Sequence, residues 1–103
     1  MTQPALPVEG HPLPEMREAI LSPEEVLALQ TDLLAHAQIQ GVLCKSGPRE
    51  RTPHGNTPLD VALQHLLDRD VSAVQIRYAY DGHDWTDTLL NTSSGIRLVR
   101  CQH

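Results

Sequence analysis

Three runs of alternating apolar and polar residues lie within residues 74–101, and two glycine-containing turn signals separate them. The first signal is Asp81 followed by Gly82, and the second is a pair of serines followed by Gly95. Alternation with a period of two is typical of strands that bury one face, and short glycine turns join such strands into hairpins. The pattern therefore predicts a three-stranded antiparallel meander.

The register of this meander decides which side chains share a face. We pair Tyr80 with Trp85 across the first turn and Asn91 with Ile96 across the second. One face is then largely apolar, and helices can cover it; it consists of Val74, Ile76, Tyr78, Tyr80, Trp85, Asp87, Leu89, Ile96, Leu98 and Arg100. The opposite face is mixed, and it carries Gln75, Arg77, Ala79, Thr86, Thr88, Leu90, Arg97, Val99 and Cys101. The mixed face is expected to be exposed to water or covered by a partner.

Asp87 is the acidic residue of the predicted apolar face. The proposed pairing puts it between Tyr78 and Arg100. A slip of one residue in either hairpin would move the side chains of a strand to the other face, so this placement depends on the register.

An amphipathic helix is predicted from residue 22 to about residue 38. Ser22, Pro23 and Glu25 supply an N-cap hydroxyl, a proline at the first helical position and the glutamate of a capping box. The apolar stripe of this helix consists of Val26, Leu29, Leu33, Leu34 and Ala37. Residues 39–45 follow as a short buried or edge strand, because they are rich in apolar residues and end at a Ser-Gly-Pro sequence.

A second helix is predicted to follow Thr57 and to end near residues 67–69. Thr57 supplies a capping hydroxyl, Pro58 a first-turn proline and Asp60 an acid that suits the helix dipole. The apolar stripe of this helix is uninterrupted and consists of Leu59, Ala62, Leu63, Leu66 and Leu67. The intervening residues 48–56 are charged and rich in Pro and Gly, which predicts an exposed loop.

Together these elements predict an α+β domain with two layers, in which two helices pack on one face of a mostly antiparallel four-stranded sheet. The order of elements along the chain is α-β-α-β-β-β. Because 103 residues suffice for one core, we assign residues 22–103 to this single domain. Residues 1–21 are rich in proline and are predicted to be a flexible tail, with one loose helical turn within residues 15–21.

The chain is acidic, with 13 Asp and Glu against 8 Lys and Arg and a formal net charge of -5. This charge repels phosphate backbones and anionic membrane surfaces, so we do not expect nucleic-acid binding. The sequence has no apolar run of about eighteen residues, the length that a membrane-spanning helix needs. The 2 cysteines are too few for a disulfide scaffold and no secretory signal pattern is present, which favours the cytoplasm.

Protein binding is the leading functional hypothesis. The mixed sheet face carries three apolar side chains, Ala79, Leu90 and Val99, and the last strand is expected to be an unpaired edge. Arg77 and Arg97 lie on the same face. The exposed loop adds cations that can clamp carboxylates, namely Arg49 and Arg51. We therefore expect a non-catalytic accessory protein that binds a protein partner or a second copy of itself.

A metal-binding or redox-responsive protein is the first alternative. Cys101 and His103 are two residues apart on a strand, so their side chains point the same way. Asp84 is predicted to face His103 across the second hairpin, with His83 next to it. A thiolate, imidazoles and a carboxylate suit a transition metal, but the sequence offers no second ligand pair with a known spacing. We therefore do not expect a cofactor.

A small cysteine-dependent enzyme is the second alternative. Cys44 would be its nucleophile, and the base would be one of His36, His54 and His65. Cys44 lies in an apolar run, where a buried cysteine behaves as a small hydrophobic residue. The glycines form no phosphate-binding pattern, so a nucleotide enzyme is not expected.

Overall fold

The computed structural model describes residues 16–45 and 57–103 of the chain. Within these residues the elements are β1 (Met16–Leu21), α1 (Pro23–His36), β2 (Gln38–Lys45), α2 (Leu59–Leu67), β3 (Ala73–Tyr80), β4 (His83–Thr92) and β5 (Gly95–Gln102). The five described strands form one antiparallel sheet, and both helices pack on the same face, which we call the inner face. The predicted α+β class is therefore confirmed.

The described strands lie side by side in the order β1-β5-β4-β3-β2. The predicted meander of β3, β4 and β5 forms the centre of the sheet, and β1 and β2 are its edges. The helix α1 connects β1 with β2, so it carries the chain from one edge of the sheet to the other. It contacts strands near both edges, and α2 packs beside it over β2 and β3.

The start of α1 follows the prediction. The Ser22 hydroxyl accepts a hydrogen bond from the Glu25 backbone N–H at 3.2 Å, and the Glu25 carboxylate accepts one from the Ser22 backbone N–H at 2.8 Å. Pro23 begins the helix. This capping box supplies partners for N–H groups at the start of the helix, where intrahelical partners are missing.

The start of α2 differs from the prediction. Pro58 rather than Thr57 is the N-cap residue, and no side chain caps the helix. Most of the predicted apolar stripe is nevertheless buried, and its buried members are Leu59, Ala62, Leu63 and Leu66. Because most helical stability in proteins comes from packing of the apolar face, a missing cap can be tolerated here.

The core lies between the helices and the inner face of the sheet. Val26, Leu29 and Leu33 are the buried residues of α1. Leu34 was predicted to join them but is 56% exposed, because it lies about 100° around the helix from Leu33. The sheet contributes Val42, Val74, Ile76, Tyr78, Trp85, Leu89, Ile96 and Leu98.

The first hairpin of the meander has a tighter turn than predicted. Trp85 pairs with Tyr78 and not with Tyr80, so the predicted register was wrong by two residues. The turn itself contains only Asp81 and Gly82, whose φ angles of 54° and 79° match the two-residue turn favoured by strand twist. Because side chains alternate with a period of two, a shift of two leaves every residue on its predicted face.

The second hairpin has the predicted register, with Asn91 opposite Ile96. The Asn91 side-chain amide donates hydrogen bonds to the backbone carbonyls of Leu66 at 2.8 Å and Val71 at 3.0 Å. These bonds hold the hairpin against the end of α2.

Residues 16–21 form the edge strand β1, so the flexible tail and helical turn predicted there were wrong. β1 pairs with β5 along its length and places Leu21 opposite Ile96. The described sheet therefore has five strands rather than the predicted four, and β5 is not an unpaired edge. The physical reason is that β5 offers a row of backbone hydrogen-bonding groups, while Ala19 and Leu21 can turn toward the core. The tail predicted for residues 1–15 lies outside the described residues.

Gly95 offers a test of how β1 docks against the second hairpin. Its φ is 135°, and a Cβ added there would lie 3.0 Å from Ile20 Cγ2 and 3.3 Å from the Leu21 carbonyl oxygen. We expect Gly95→Ala to lower the free energy of unfolding by about 2–3 kcal/mol, because backbone strain and the close contact with β1 both act against folding. Urea denaturation measures this change.

Gly82→Ala is the matched control for this substitution. Gly82 also has a positive φ, of 79°, but nothing lies within 4 Å of an added Cβ. We expect a loss of about 1 kcal/mol from the backbone conformation alone. Equal losses at the two glycines would contradict the packing of β1 against the second turn.

Candidate functional site

The candidate site is the face of the sheet opposite the helices, which we call the outer face. Within the described residues both helices pack on the inner face, so neither covers the outer one. The charged members of the outer face are Glu18, Lys45, Arg77, Asp84 and Arg97. Its larger apolar members are Ile20, Leu43, Leu90 and Val99. The sheet residues predicted to bind a partner thus share one face; they are Arg77, Leu90, Arg97 and Val99.

The apolar side chains of the outer face are incompletely covered. Leu43, Leu90 and Val99 are half-buried, and Ile20 is 53% exposed. A strand side chain that packs only against its neighbours in the sheet leaves its outward side in water. A partner on this face would remove that surface from water, which contributes roughly 25 cal/mol per Å² of apolar area.

The two arginines of the outer face differ in their partners. Arg97 forms an ion pair with Glu18 across the β1–β5 pairing, with 2.9 Å between Nη2 and Oε1. Arg77 is exposed, and its guanidinium forms no hydrogen bond or ion pair with the described residues. Because a guanidinium carries five N–H donors, Arg77 can bind an acceptor that comes from outside the described residues.

A depression of about 440 Å³ lies beside Arg77 on the outer face. Thr86 Oγ1 and His103 Nε2 lie 2.6 Å apart at this depression, and Gln40 Nε2 lies 3.5 Å from Asp84 Oδ1. The polar lining consists of Gln40, Gln75, Arg77, Asp84, Thr86 and His103. The depression therefore combines one guanidinium, one carboxylate, one imidazole and several amide and hydroxyl groups, and Trp85 also lines it.

Sequence reasoning missed Gln40 and Glu18 as members of this surface. Gln40 lies at an irregularity in the β2–β3 pairing between Ile39 and Gly41. Such a bulge changes the direction of a side chain and cannot be read from alternation. Glu18 lies on β1, and the available signal was the alternation within residues 16–21.

The predicted metal ligands do not converge on one point. His103 donates its backbone N–H to the Asp84 carbonyl oxygen at 2.9 Å, so these two residues face each other as predicted. His83 Nδ1 lies 3.0 Å from a backbone carbonyl oxygen of the first turn, and Cys101 lies on the outer face. In the described part of the chain, no group of three or more His, Cys, Asp or Glu side chains is placed to hold a metal ion.

The other predicted site residues are distributed over several parts of the chain. Cys44 packs against the hydrophobic core from β2. On α2, His65 Nδ1 lies 3.3 Å from Asp70 Oδ2. The pairing of Cys44 with a histidine base stays a prediction. The whole predicted loop, residues 48–56, lies outside the described residues, and with it Arg49, Arg51 and His54.

The inner face holds a buried ion pair beneath the helices. Arg100 Nε and Nη2 donate to the two carboxylate oxygens of Asp87 at 2.9 and 2.8 Å. The Tyr78 hydroxyl donates to Asp87 Oδ1 at 3.1 Å. Asp87 and Tyr78 are 0% exposed and Arg100 is 2% exposed. The predicted position of Asp87 between Tyr78 and Arg100 is therefore confirmed, and the network belongs to the core rather than to the outer face.

Burial changes the ionisation of this network. Burial of the phenol is the main cause that raises the pKa of Tyr78 far above its ordinary value, and the negative charge of Asp87 raises it further. The positive charge of Arg100 has the opposite effect on this pKa. Burial alone would lower the pKa of Arg100, but the hydrogen bonds and charge of Asp87 raise it above its ordinary value. At neutral pH the folded protein therefore holds a neutral phenol and a charged guanidinium in its core.

Comparison with protein-family models, curated proteins and solved structures found no match to this chain. Neither α1 nor α2, the helices of the described residues, is long and apolar enough to cross a membrane. The outer face is therefore the feature from which a function is inferred.

The buried ion pair predicts a pattern of stability changes. We expect Asp87→Asn to lower the free energy of unfolding by about 3–5 kcal/mol, because it removes the charged carboxylate that accepts two hydrogen bonds from the buried Arg100 guanidinium. The double variant Asp87→Leu with Arg100→Met should lie within about 1 kcal/mol of wild type, because both charges are removed together. Urea denaturation measures both changes.

Glu18→Gln is the control for an exposed ion pair, since it removes the charge that faces Arg97. We expect this variant to lose at most about 1 kcal/mol. A double variant of the buried pair that is as unstable as Asp87→Asn would contradict the role assigned to the charge.

Tyr78 makes the stability of the protein depend on pH in the alkaline range. The folded state holds the Tyr78 proton more tightly than the unfolded state does. The contribution of Tyr78 to the free energy of unfolding is therefore fully present below the ordinary tyrosine pKa of about 10. Above that pH we expect the stability to fall by about 1.4 kcal/mol per pH unit from this residue. Urea denaturation at about pH 9 and pH 11 should show this loss in wild type, and Tyr78→Phe should lack it. Parallel decreases in the two proteins would count against the assignment to Tyr78.

Proposed function

We propose that this protein is a small non-catalytic accessory protein that binds another protein through the outer face of its sheet. The observation that supports this proposal is a sheet with both described helices on its other face. Antiparallel sheets that stay in water on one side usually carry polar residues there, whereas Leu43, Leu90 and Val99 lie on this one.

The arrangement of the outer-face residues suits a protein interface. Leu90 pairs with Arg97, and Val99 pairs with Thr88 on the neighbouring strands, so the two apolar residues are diagonal neighbours. The ion pair of Arg97 with Glu18 lies beside them, toward β1. Protein interfaces commonly have an apolar centre and a polar rim, and this part of the outer face has the same order.

The charges of the outer face favour an acidic partner. Lys45, Arg77 and Arg97 outnumber Glu18 and Asp84 on this face, although the whole chain has 13 acidic and 8 basic residues. The helices on the opposite side of the sheet carry many of the acids, including Glu24, Glu25, Asp32 and Asp60. Opposite charges steer encounter and select among partners, so carboxylates on the partner would meet the basic side of this molecule.

The edge strand and the loop extend the proposed surface. Because β5 is paired on both sides, the edge strand beside Arg77 is β2, which itself carries Lys45. An edge strand presents backbone N–H and C=O groups that a partner strand can pair. The loop arginines, Arg49 and Arg51, follow β2 in the chain and remain predicted members of the surface.

The experiment that tests this proposal uses the full chain as bait, followed by purification of the captured and identified partner. We expect Leu90→Lys to weaken that partner's binding at least about tenfold, because the substitution places a charge at the apolar centre of the interface. Isothermal titration calorimetry measures the affinity. Light scattering of the chain alone identifies a second copy as the partner if the chain forms dimers that Leu90→Lys dissociates.

Leu34→Lys is the matched control, because it makes the same change on α1, where Leu34 is 56% exposed. This variant should bind the partner as wild type does. Urea denaturation verifies that both variants are folded. Equal affinities of the Leu90→Lys and Leu34→Lys variants would overturn the proposal.

A further inference from the structure

Arg77 is placed differently from the other outer-face arginine. The guanidinium of Arg97 is held by Glu18 at 2.9 Å, whereas the guanidinium of Arg77 has no hydrogen bond or ion pair with the described residues. Both residues lie on strands of the same sheet that are paired on both sides. A planar guanidinium that is held on a strand and lacks an internal partner is suited to bidentate binding of an anion.

The neighbours of Arg77 leave room for a ligand. Gly41 lies opposite on β2 and has no side chain, while the small Thr86 lies opposite on β4. Arg77 and Gln75 line both the depression of about 440 Å³ and a second one of about 80 Å³ that Gly41 also lines. An anionic group can therefore reach the guanidinium without a change in the backbone.

The other groups of the depression narrow the class of ligand. Gln75 and Thr86 offer neutral hydrogen-bonding groups beside the guanidinium. Asp84 places a negative charge at the same depression, and it repels a phosphate with nearly two negative charges about twice as strongly as it repels a carboxylate. A carboxylate has a single charge, and its two oxygens match the fork of a guanidinium.

We infer that Arg77 and the depression beside it form the subsite that takes an aspartate or glutamate side chain of the acidic protein partner. This inference rests on the proposed function, since it names the group of the partner that the outer face recognises. The carboxylate accepts hydrogen bonds from the Arg77 guanidinium and lies on the Gln75 and Thr86 side of the depression. Gly41 supplies the open space through which it enters.

The probe for this subsite is an N-acetylated and C-amidated peptide of alternating glutamate and threonine. Its control peptide has glutamine in place of each glutamate. In two-dimensional NMR spectra of the full chain, we expect the glutamate peptide to shift the backbone amides of Gly41, Arg77 and Thr86 in a saturable manner. The glutamine peptide should leave them unchanged. Equal shifts with both peptides would overturn the inference.

Two small anions test whether the Arg77 subsite prefers a carboxylate or a phosphate, and whether it needs a peptide. Acetate and inorganic phosphate are titrated separately at constant ionic strength. We expect acetate to shift the same amides as the glutamate peptide but with lower affinity. Acetate binding as tightly as the peptide would overturn the assignment to a protein side chain, and phosphate binding more tightly than acetate would overturn the carboxylate assignment.

Matched arginine variants test the residue itself. We expect Arg77→Gln to reduce the affinity for the glutamate peptide about tenfold, because the charged fork is lost. Arg69→Gln removes an exposed arginine that follows α2 and lies outside the outer face, so it should bind the peptide as wild type does. Unchanged binding by Arg77→Gln, or equal losses in the two variants, would overturn the inference.

The failure of this inference can be distinguished from failure of the proposed function. If the purified partner binds wild type and Arg77→Gln equally but binds Leu90→Lys weakly, the outer face stands and the Arg77 subsite is wrong. If the glutamate peptide requires Arg77 but the partner binds Leu90→Lys as it binds wild type, the proposed protein-binding face is wrong.

Discussion

Burial of a single sheet face is the constraint on which the rest of this structure depends. Each strand turns its side chains alternately to either face, so packing α1 and α2 on the inner face fixes which residues remain on the outer one. A slip of one residue in β3 would bring Gln75 and Arg77 under the helices and expel Val74 and Ile76 from the core. The register that forms the core therefore also composes the candidate binding surface.

Much of the fold could be predicted because its signals are local. The capping box at Ser22, the apolar stripe of α2 and the alternation in the meander are properties of short segments. The first hairpin was predicted with Trp85 opposite Tyr80, although Tyr78 is its partner, because alternation is unchanged by a shift of two residues. β1 was missed because a short strand depends on its pairing with β5, which lies at the other end of the described chain.

Membership of the outer face could be predicted better than its geometry. Alternation alone placed Arg77, Leu90, Arg97 and Val99 together. It could not separate the two arginines, because the partner of Arg97 is Glu18 on the unpredicted strand β1. The depression depends on the irregular pairing of β2, which alternation does not encode. The predicted metal ligands show the same limit, since sequence spacing assigns a face but not the distances between side chains.

The Asp87–Arg100 ion pair has a consequence for how the chain avoids misfolding. A slip of two residues between β4 and β5 would preserve the inward and outward pattern, so hydrophobic matching alone could not reject it. Such a slip would place Asp87 opposite Leu98 or Gln102 instead of Arg100. An ionised carboxylate would then be buried in an apolar interior, which is energetically costly. The ion pair thus helps to select the native register of β4 and β5. A sheet with the shifted register would keep its hydrophobic pattern, but the unpaired buried charge would raise its free energy.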